Sequence, residues 1–430
     1  WVSRSGPMVG SQVMPLYLLL VLLPAPLLSL TGPLHPPKAR AHDRWSRKRL
    51  RLAAVPPGVE AAALLDTQGF TEEAVEAFTQ AVGEIQENGQ LHTGPKDEVL
   101  SYCHLRLAHL MHDGLGDAEG ACRHLVEAGR LEGSRPSSLT LDALGMALHC
   151  LGDVPGAIRA FRRATEISPN AAAPHLHLGL ALGPSSGAWP PGNPRFPAFM
   201  RESCEYAHQH FAGLDHRSLF NGTWAVLQEA AAVAADTQKD RNIPPNPSDL
   251  VLEFGVSHGK SVRMLAKLFP HQCVHGFDTF TGLPEAWNDE PQGTYTTGGH
   301  FPEVPANVAL IPGLFAESLP RFLQKQEQQQ PGRNSVKLPM SLPHLRLANV
   351  DCDLFSSTRD VLTALSEAGT LGTGSVLVFD EYFMHDSWRE DEFCAFQELR
   401  QQSGLSFEYV AWSFSTKQVA VRVIENPSRP

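Results

Sequence analysis

The chain has 430 residues, is 42% hydrophobic and carries a formal net charge of -11 at pH 7. That length and apolar content are enough to fill about two or three domains with hydrophobic cores. The acidic balance argues against a nucleic-acid-binding surface, because phosphate contacts require clustered Lys and Arg. We therefore expect small molecules or proteins as partners, and no nucleic acid.

Residues 1–58 form a hydrophobic and basic N-terminal segment. The stretch 16–30 is mostly leucine but is interrupted by two prolines, which makes it short and broken for a membrane-spanning helix. No acid precedes Asp43, and Lys and Arg cluster between residues 38 and 51. Three interpretations stay open: a secretory signal cleaved at Ala39-Arg40-Ala41, an organelle transit peptide, or an anchor whose basic flank keeps the remaining chain in the cytosol. Membrane contact is expected only through this segment.

The seven cysteines lie far apart and form no Cys-x-x-Cys or Cys/His spacing typical of a zinc site. Their number is odd, and several fall on apolar faces. We therefore expect buried free thiols, which favour a reducing compartment.

Residues 59–183 contain three segments that superpose on one template. In each, a glycine precedes an alanine by five residues, a large apolar residue by nine and a second alanine by twelve. The three sets are Gly69, Ala74, Phe78 and Ala81; Gly116, Ala121, Leu125 and Ala128; and Gly152, Ala157, Phe161 and Ala164. The pattern resembles the tetratricopeptide repeat (TPR), in which small residues let paired helices approach. The resemblance implies an all-α repeat domain that binds a protein or peptide partner.

Residues 184–240 are expected to join the repeats to a second domain. The stretch 183–197 is rich in Pro, Gly and Ser, which marks a domain boundary. Residues 198–237 have a helical pattern, and we expect them to cover the edge of a following sheet.

Residues 241–430 alternate strand-like and helix-like segments. Helical patterns occupy 357–368 and 389–402. Short apolar runs lie at 249–254, 273–277, 308–311, 345–350, 375–379 and 419–423. This alternation predicts an α/β domain with a mostly parallel sheet and helices on both faces.

The first strand of this domain runs into a glycine turn and a helix. Gly255 and Gly259 let backbone approach a ligand at the helix N-terminus. Asp278 ends the next strand, where an acid can accept hydrogen bonds from both hydroxyls of a ribose. The NAD fingerprint requires three glycines, and this turn has two. Glu253-x-Gly255-x-x-x-Gly259 instead resembles motif I of class I S-adenosylmethionine (SAM)-dependent methyltransferases.

Acidic residues also follow two later strands, as Asp351 and Asp353 and as the pair Asp380-Glu381. Ligands of parallel sheets bind beyond the carboxyl ends of the strands, so we expect these carboxylates to converge near the cofactor. Unpaired like charges are costly to bury, and a divalent cation would neutralise them. All-oxygen ligation suits Mg²⁺, with Ca²⁺ or Mn²⁺ as alternatives.

Four motifs in order resemble the macrocin O-methyltransferase (TylF-like) family over residues 249–425. They are Gly276-Phe277-Asp278-Thr279-Phe280, Ser318-Leu319-Pro320, Asp351-x-Asp353-Leu354-Phe355 and Phe379-Asp380-Glu381-Tyr382. The resemblance implies a Rossmann-like domain that transfers methyl from SAM to a hydroxyl of a small acceptor, such as a sugar or a polyketide-like compound.

The resemblance also implies a role for each candidate residue. The residues that would bind SAM are Glu253, Gly255, Gly259 and Asp278, and those that would hold Mg²⁺ are Asp351, Asp380 and Glu381. Asp353 would be the general base that deprotonates the metal-bound hydroxyl, with His385 as an alternative. Family members show Asp-Asp where this chain has Asp380-Glu381, which leaves the third metal ligand open.

Two other hypotheses stay open. In the first, the chain is a repeat-containing interaction protein whose sheet domain binds SAM weakly or not at all. In the second, it is a methyltransferase whose repeats recruit a protein substrate. Loss of turnover in variants of the acidic residues separates the first from an enzyme, and methylation of purified partner proteins identifies the second.

Overall fold

The computed structural model describes residues 56–87, 96–211, 213–214, 219–240, 248–329 and 343–427. Almost all of the N-terminal segment 1–58 lies outside these ranges. The structure therefore does not decide among its three interpretations. Among the helices within the ranges, none combines the length and the apolar character that crossing a membrane requires. All seven cysteines are free thiols; four are buried and Cys273 is exposed.

Before residue 183, the described chain consists of α-helices that pack in sequence. They are α1 (Pro57–Thr67), α2 (Thr71–Glu87), α3 (Lys96–His109), α4 (Ala118–Leu131), α5 (Ser138–Cys150), α6 (Val154–Ile167) and α7 (Ala172–Leu182), and a short π-helix, Leu110–Gly114, extends α3. Helices α1 and α2, α3 and α4, and α5 and α6 form pairs, and each pair packs on the next. We call this unit the helical array.

The small and large residues of the sequence template lie inside the array. Its alanines and large apolar residues are buried in all three pairs. At Gly145 an added Cβ would lie 2.5 Å from the Phe161 ring, so the missing side chain lets α5 and α6 approach. Asp117 and Asp153 begin α4 and α6 by accepting backbone hydrogen bonds from Gly120 and Gly156. The small residues thus set the helix spacing; the assignment to a named repeat family stays a prediction.

Two helices connect the array to the sheet, namely α8 (Ala198–His210) and α9 (Thr223–Asp240). Helix α8 contacts the sheet through a hydrogen bond between the hydroxyl groups of Tyr206 and Tyr409. Helix α9 instead lies on one face of the sheet, with Val226 and Leu227 in the core beneath it. The prediction that the whole stretch covers an edge is therefore wrong for α9, because its apolar residues form a stripe wide enough to pack on several strands.

Phe220 links this connecting stretch to the array. The ring is fully buried, and its centroid lies 5.0 Å from that of His149, 5.5 Å from that of Phe161 and 5.2 Å from that of His177. The array and the sheet domain share one continuous hydrophobic core through such contacts. One face of the array is therefore covered by the connecting stretch that contains Phe220.

We expect Phe220→Ala to lower the free energy of unfolding by about 3–5 kcal/mol, because it leaves a cavity between the array and the connecting stretch. Urea unfolding followed by tryptophan fluorescence measures the change. Leu151→Ala is the control, since Leu151 is 47% exposed and its truncation opens no cavity. Equal effects of the two substitutions would contradict the packing described for Phe220.

The sheet has seven strands in the order β3-β2-β1-β4-β5-β7-β6. The strands are β1 (Leu250–Phe254), β2 (Val274–Asp278), β3 (Val308–Pro312), β4 (Leu345–Val350), β5 (Val376–Phe379), β6 (Ser406–Trp412) and β7 (Val419–Glu425). Strands β1 to β5 are parallel, whereas β7 is antiparallel to both β5 and β6. The sequence pattern predicted every strand but β6.

Helices cover both faces of the sheet, as predicted. They are α10 (Lys260–Leu268), α11 (Phe315–Gln329), α12 (Phe355–Glu367) and α13 (Glu392–Ser403). Successive residues of a strand point to opposite faces. Val251 accordingly packs in the core under α9 and α10, while Leu250 and Leu252 pack in the core with α11, α12 and α13.

Candidate cofactor and active site

A cavity of about 120 Å³ opens at the carboxyl ends of β1, β2 and β4. Four of the predicted site residues line it, namely Gly255, Asp278, Asp351 and Asp353. Strands β2 and β4 flank β1 on its two sides, so the cavity lies where the order of the strands reverses. That switch point is the place where open parallel sheets bind their ligands.

The glycine turn approaches β4 too closely for any other residue. Gly255 has a φ of +98°, and an added Cβ would lie 2.0 Å from the carbonyl oxygen of Asp351. Its amide donates a 2.9 Å hydrogen bond to the carbonyl of Phe277, which fixes the turn between the two neighbouring strands. Gly259, with a φ of +85°, precedes the first residue of α10. Gly255 and Ser257 of this turn line the cavity, whereas Gly259 lies outside the lining.

Asp278 is held in the cavity wall by two backbone amides. Ser257 donates to its Oδ2 atom at 2.7 Å, and Phe280 donates to its Oδ1 atom at 2.6 Å. Each carboxylate oxygen has two acceptor positions, so both oxygens can accept a further hydrogen bond. The geometry thus offers a fixed, charged acceptor pair at the end of β2, as a ribose requires.

Glu253 lies beneath the glycine turn rather than in the cavity wall. Its side chain is fully buried, and the Ser261 hydroxyl donates a hydrogen bond to it. Burial raises the pKa of Glu253 to about 8, so the protonated form predominates at neutral pH. The bond to Ser261 ties β1 to α10. Direct binding of a cofactor by Glu253 stays a prediction.

Asp353 points into the cavity from a strained backbone. Its φ is +59°, in the left-handed region that residues other than glycine enter at a cost of about 1–3 kcal/mol. The adjacent Leu354 amide donates to the carbonyl of Cys352 at 2.6 Å, which closes the tight turn. Strain of this kind concentrates at functional sites, and Asp tolerates the left-handed region better than most residues.

The two acids after β5 have protein partners outside the cavity lining. The Gln418 side-chain amide donates to Asp380 at 2.5 Å, and the Lys417 ammonium forms an ion pair with Glu381 at 2.8 Å. Both partners come from the hairpin between β6 and β7. Within the part of the chain that the structure describes, no group of three or more His, Cys, Asp or Glu side chains is arranged to hold a metal ion. The structure thus gives Mg²⁺ no support, and the assignment of Asp351, Asp380 and Glu381 as its ligands stays a prediction.

His385, the alternative base, also lies outside the cavity lining. Its Nε2 atom is 2.9 Å from the carbonyl oxygen of Glu381. Its Nδ1 atom is 3.8 Å from a carboxylate oxygen of Asp391, which accepts a 3.1 Å hydrogen bond from the Trp287 indole. These contacts join the segment after β2 to the start of α13. Asp391 was absent from the sequence prediction, because nothing in the local pattern distinguishes it from a helix-capping acid.

Comparisons with known proteins identify no family for the chain. No protein-family model matches the chain, and no curated protein matches its sequence. Among solved structures, it is similar to a crystal structure of a fibrillarin/Nop5p complex at 12% identity and a TM-score of 0.26. The similarity covers 46% of this chain and 83% of that one. A score this low transfers no function to the chain.

Proposed function

We propose that the chain is a SAM-dependent O-methyltransferase. The observation that carries the proposal is the cavity at the switch point, where the Gly255 turn and the Asp278 carboxylate lie side by side. The mostly parallel seven-stranded sheet is compatible with a Rossmann-like methyltransferase fold. The Gly255-x-x-x-Gly259 turn supports SAM over a dinucleotide, because the three-glycine dinucleotide fingerprint is missing.

The cavity residues are proposed to have separate roles in binding and in reaction. Asp278 would accept hydrogen bonds from the ribose hydroxyls, and the Gly255 turn lines the cavity beside it. SAM, when bound, supplies an electrophilic methyl group on a cationic sulfur. Asp353 lines the same cavity. Its carboxylate would take the proton from the acceptor hydroxyl while the acceptor oxygen attacks the methyl carbon. No covalent enzyme intermediate is needed.

The acceptor is proposed from the family resemblance as a small hydroxylated compound, such as a sugar or a polyketide-like molecule. Leu283, Tyr295 and Leu314 line the cavity together with its acids. A molecule with both an apolar part and a hydroxyl group would suit such a mixed lining.

Calorimetric titration of the full chain with SAM and with S-adenosylhomocysteine tests the proposal. We expect micromolar dissociation constants for both ligands and no heat of binding with NAD⁺. Absence of SAM binding to the folded chain would overturn the proposal in favour of a repeat-containing interaction protein.

The predicted Mg²⁺ site can be tested at Lys417, because its ammonium forms an ion pair with Glu381, one of the proposed metal ligands. We expect Lys417→Met to bind Mn²⁺, used as a paramagnetic probe, at least about tenfold more tightly than the unmodified chain, because it leaves the carboxylate uncompensated. Electron paramagnetic resonance of free Mn²⁺ measures the affinity. Lys325→Met is the matched control, because Lys325 is exposed on α11. Equal affinities in all three proteins would remove these acids from consideration as metal ligands.

We propose further that the helical array consists of TPR-like units that bind a protein or peptide. Burial of the template residues Ala74, Ala121 and Ala157 supports this, since repeats of that kind need small residues there. Because Phe220 already occupies the face formed with His149 and His177, a partner would bind elsewhere on the array. Pull-down with the full chain and with a surface variant of the array tests the proposal.

A further inference from the structure

The helix that follows the glycine turn is in direct contact with the helical array. Helix α10 begins at Lys260, immediately after Gly259, and its polar side chains reach the α1–α2 turn and the π-helix of the array. We propose that the helical array sets the shape of the cofactor site through Arg263, a positioning residue that contacts both. We call the contacts of Arg263 and Lys260 with Gln68, Gly69 and Asp113 of the array the joint. This inference rests on the proposed SAM site.

The Arg263 guanidinium binds three separate backbone segments. Its Nη1 atom donates to the carbonyl oxygens of Gln68 and Gly69 in the array, at 3.2 and 3.1 Å. The same atom donates to the His258 carbonyl in the glycine turn at 3.0 Å. Its Nε and Nη2 atoms donate to the carbonyl of Glu303, at 3.1 and 2.6 Å. The five donors of a guanidinium are spread over three nitrogens in one plane and reach three such segments, whereas the three donors of an ammonium radiate from a single nitrogen.

Two of those segments border the proposed cofactor cavity. Residues 279–304 contribute Thr279, Gly282, Leu283 and Tyr295 to the cavity wall, and Glu303 lies at the end of this stretch. The third segment, Gln68–Gly69, belongs to the array alone. Phe70 packs its ring 4.0 Å from the Arg263 guanidinium carbon, which fixes the orientation of the side chain. A displacement of the α1–α2 turn therefore changes the hydrogen bonds that hold the cavity wall.

A second contact fixes the first residue of α10. The Lys260 ammonium forms an ion pair with Asp113 in the π-helix of the array. Asp113 also accepts hydrogen bonds from the amide and hydroxyl of Thr223, at 2.9 and 3.0 Å. Burial by itself would raise the pKa of Asp113, but the charges of Lys260 and His109 and these hydrogen bonds hold it well below its usual range. The carboxylate is therefore charged at physiological pH, and the pair persists there.

Gly69 offers a way to disturb the joint without touching the cavity. Its φ is +72°, and an added Cβ would lie 3.0 Å from the Cβ of Lys260 and 3.1 Å from Nη1 of Arg263. A methyl group at this position requires Lys260, Arg263 or the α1–α2 turn to shift by a few tenths of an ångström, in addition to the backbone strain. Gly133, also in the array, has a φ of +76° with no atom within 4 Å of an added Cβ. Gly133→Ala therefore has the same backbone strain and leaves the joint intact.

The joint also couples any partner of the array to the cofactor. A partner that shifts the α1–α2 turn would change the affinity for SAM, and SAM would change the affinity for that partner by the same factor. Under this proposal, binding of a partner to the array regulates the affinity of the cofactor site for SAM.

The experiment compares S-adenosylhomocysteine binding in full-length variants by calorimetry. We expect the dissociation constant to rise about tenfold in Gly69→Ala and in Arg263→Lys, and to stay within about twofold in Gly133→Ala. Hydrogen exchange at residues 256–259 and 298–304 should accelerate in the first two variants alone, which a general loss of stability would not produce.

The outcomes separate the two proposals. No binding to the unmodified chain would overturn the proposed function itself. Binding to the unmodified chain with equal affinities in Gly69→Ala and Gly133→Ala would overturn the coupling and leave the function standing. Should Gly69→Ala fail to fold, Arg263→Lys decides, since lysine keeps the charge and the stem but has its donors on one nitrogen instead of a planar fork. Unchanged affinity in that variant would also overturn the inference.

Discussion

Asp278→Ala should weaken the binding of S-adenosylhomocysteine by at least about 100-fold. Hydrogen bonds to a charged acceptor contribute roughly 1.5–3 kcal/mol each, and the two ribose hydroxyls would make two of them. The substitution also removes the acceptor of the Ser257 and Phe280 amides, so the turn beside the ligand loses its anchor. Calorimetry on the full chain measures the change.

A modified ligand separates the direct contact from the loss of loop order. We expect the unmodified chain to bind 2′-deoxy-S-adenosylhomocysteine at least about tenfold more weakly than the parent compound, and Asp278→Ala to bind the two equally. Glu367→Gln is the control for a lost negative charge, because Glu367 is exposed at the end of α12. If Asp278→Ala still discriminates between the two ligands, the carboxylate does not contact the ribose.

The positions of Gly255 and Asp278 in the candidate site could be predicted from the sequence because each follows from a local pattern. A buried parallel strand is a continuous apolar run, and the acid or glycine that ends it lies at the same edge of the sheet as its neighbours. Gly255 follows β1 and Asp278 ends β2, and these strands are adjacent, so pattern alone brings the two residues together. The same reasoning predicts that Asp351 and Asp353 lie beyond the end of β4, and both line the cavity.

The environment of Asp380 and Glu381 could not be predicted in this way. Their partners Lys417 and Gln418 are more than 30 residues away, on a hairpin that returns antiparallel beside β5. Strand β6, the outer strand of that hairpin, is only partly buried and alternates too weakly to be recognised. Four acids at the ends of strands predict a metal from sequence alone, whereas the structure pairs one of them, Glu381, with the Lys417 ammonium.

The joint between the array and α10 was missed for a related reason. Arg263 and Gly69 are 194 residues apart, and an arginine on a polar helix face has no sequence signal for a backbone partner. The pattern of residues 59–183 suggested a separate binding module joined by a linker. The shared core and the Arg263 contacts show instead that the array packs directly against the sheet domain. A fragment starting near residue 190 would expose this surface, so binding experiments belong on the full chain.

Asp353→Asn is expected to lower kcat by about 10²–10⁴, the range that a positioned general base contributes, while the affinity for SAM changes by less than about threefold. The amide cannot accept the proton of the acceptor hydroxyl at neutral pH. Asparagine also tolerates the left-handed backbone that this position requires, so the turn after β4 is retained. Release of S-adenosylhomocysteine, with an acceptor found by screening hydroxylated compounds against the unmodified chain, measures turnover.

A variant of His385, the alternative base, is the control for Asp353→Asn. His385 lies outside the cavity lining and contacts the Glu381 carbonyl, so we expect His385→Gln to keep kcat within about threefold, because glutamine can still donate to that oxygen. A large loss in His385→Gln with turnover retained in Asp353→Asn would move the base to the histidine. A loss of SAM affinity in Asp353→Asn equal to the loss of kcat/KM would mean that the carboxylate binds the cofactor and takes no part in proton transfer.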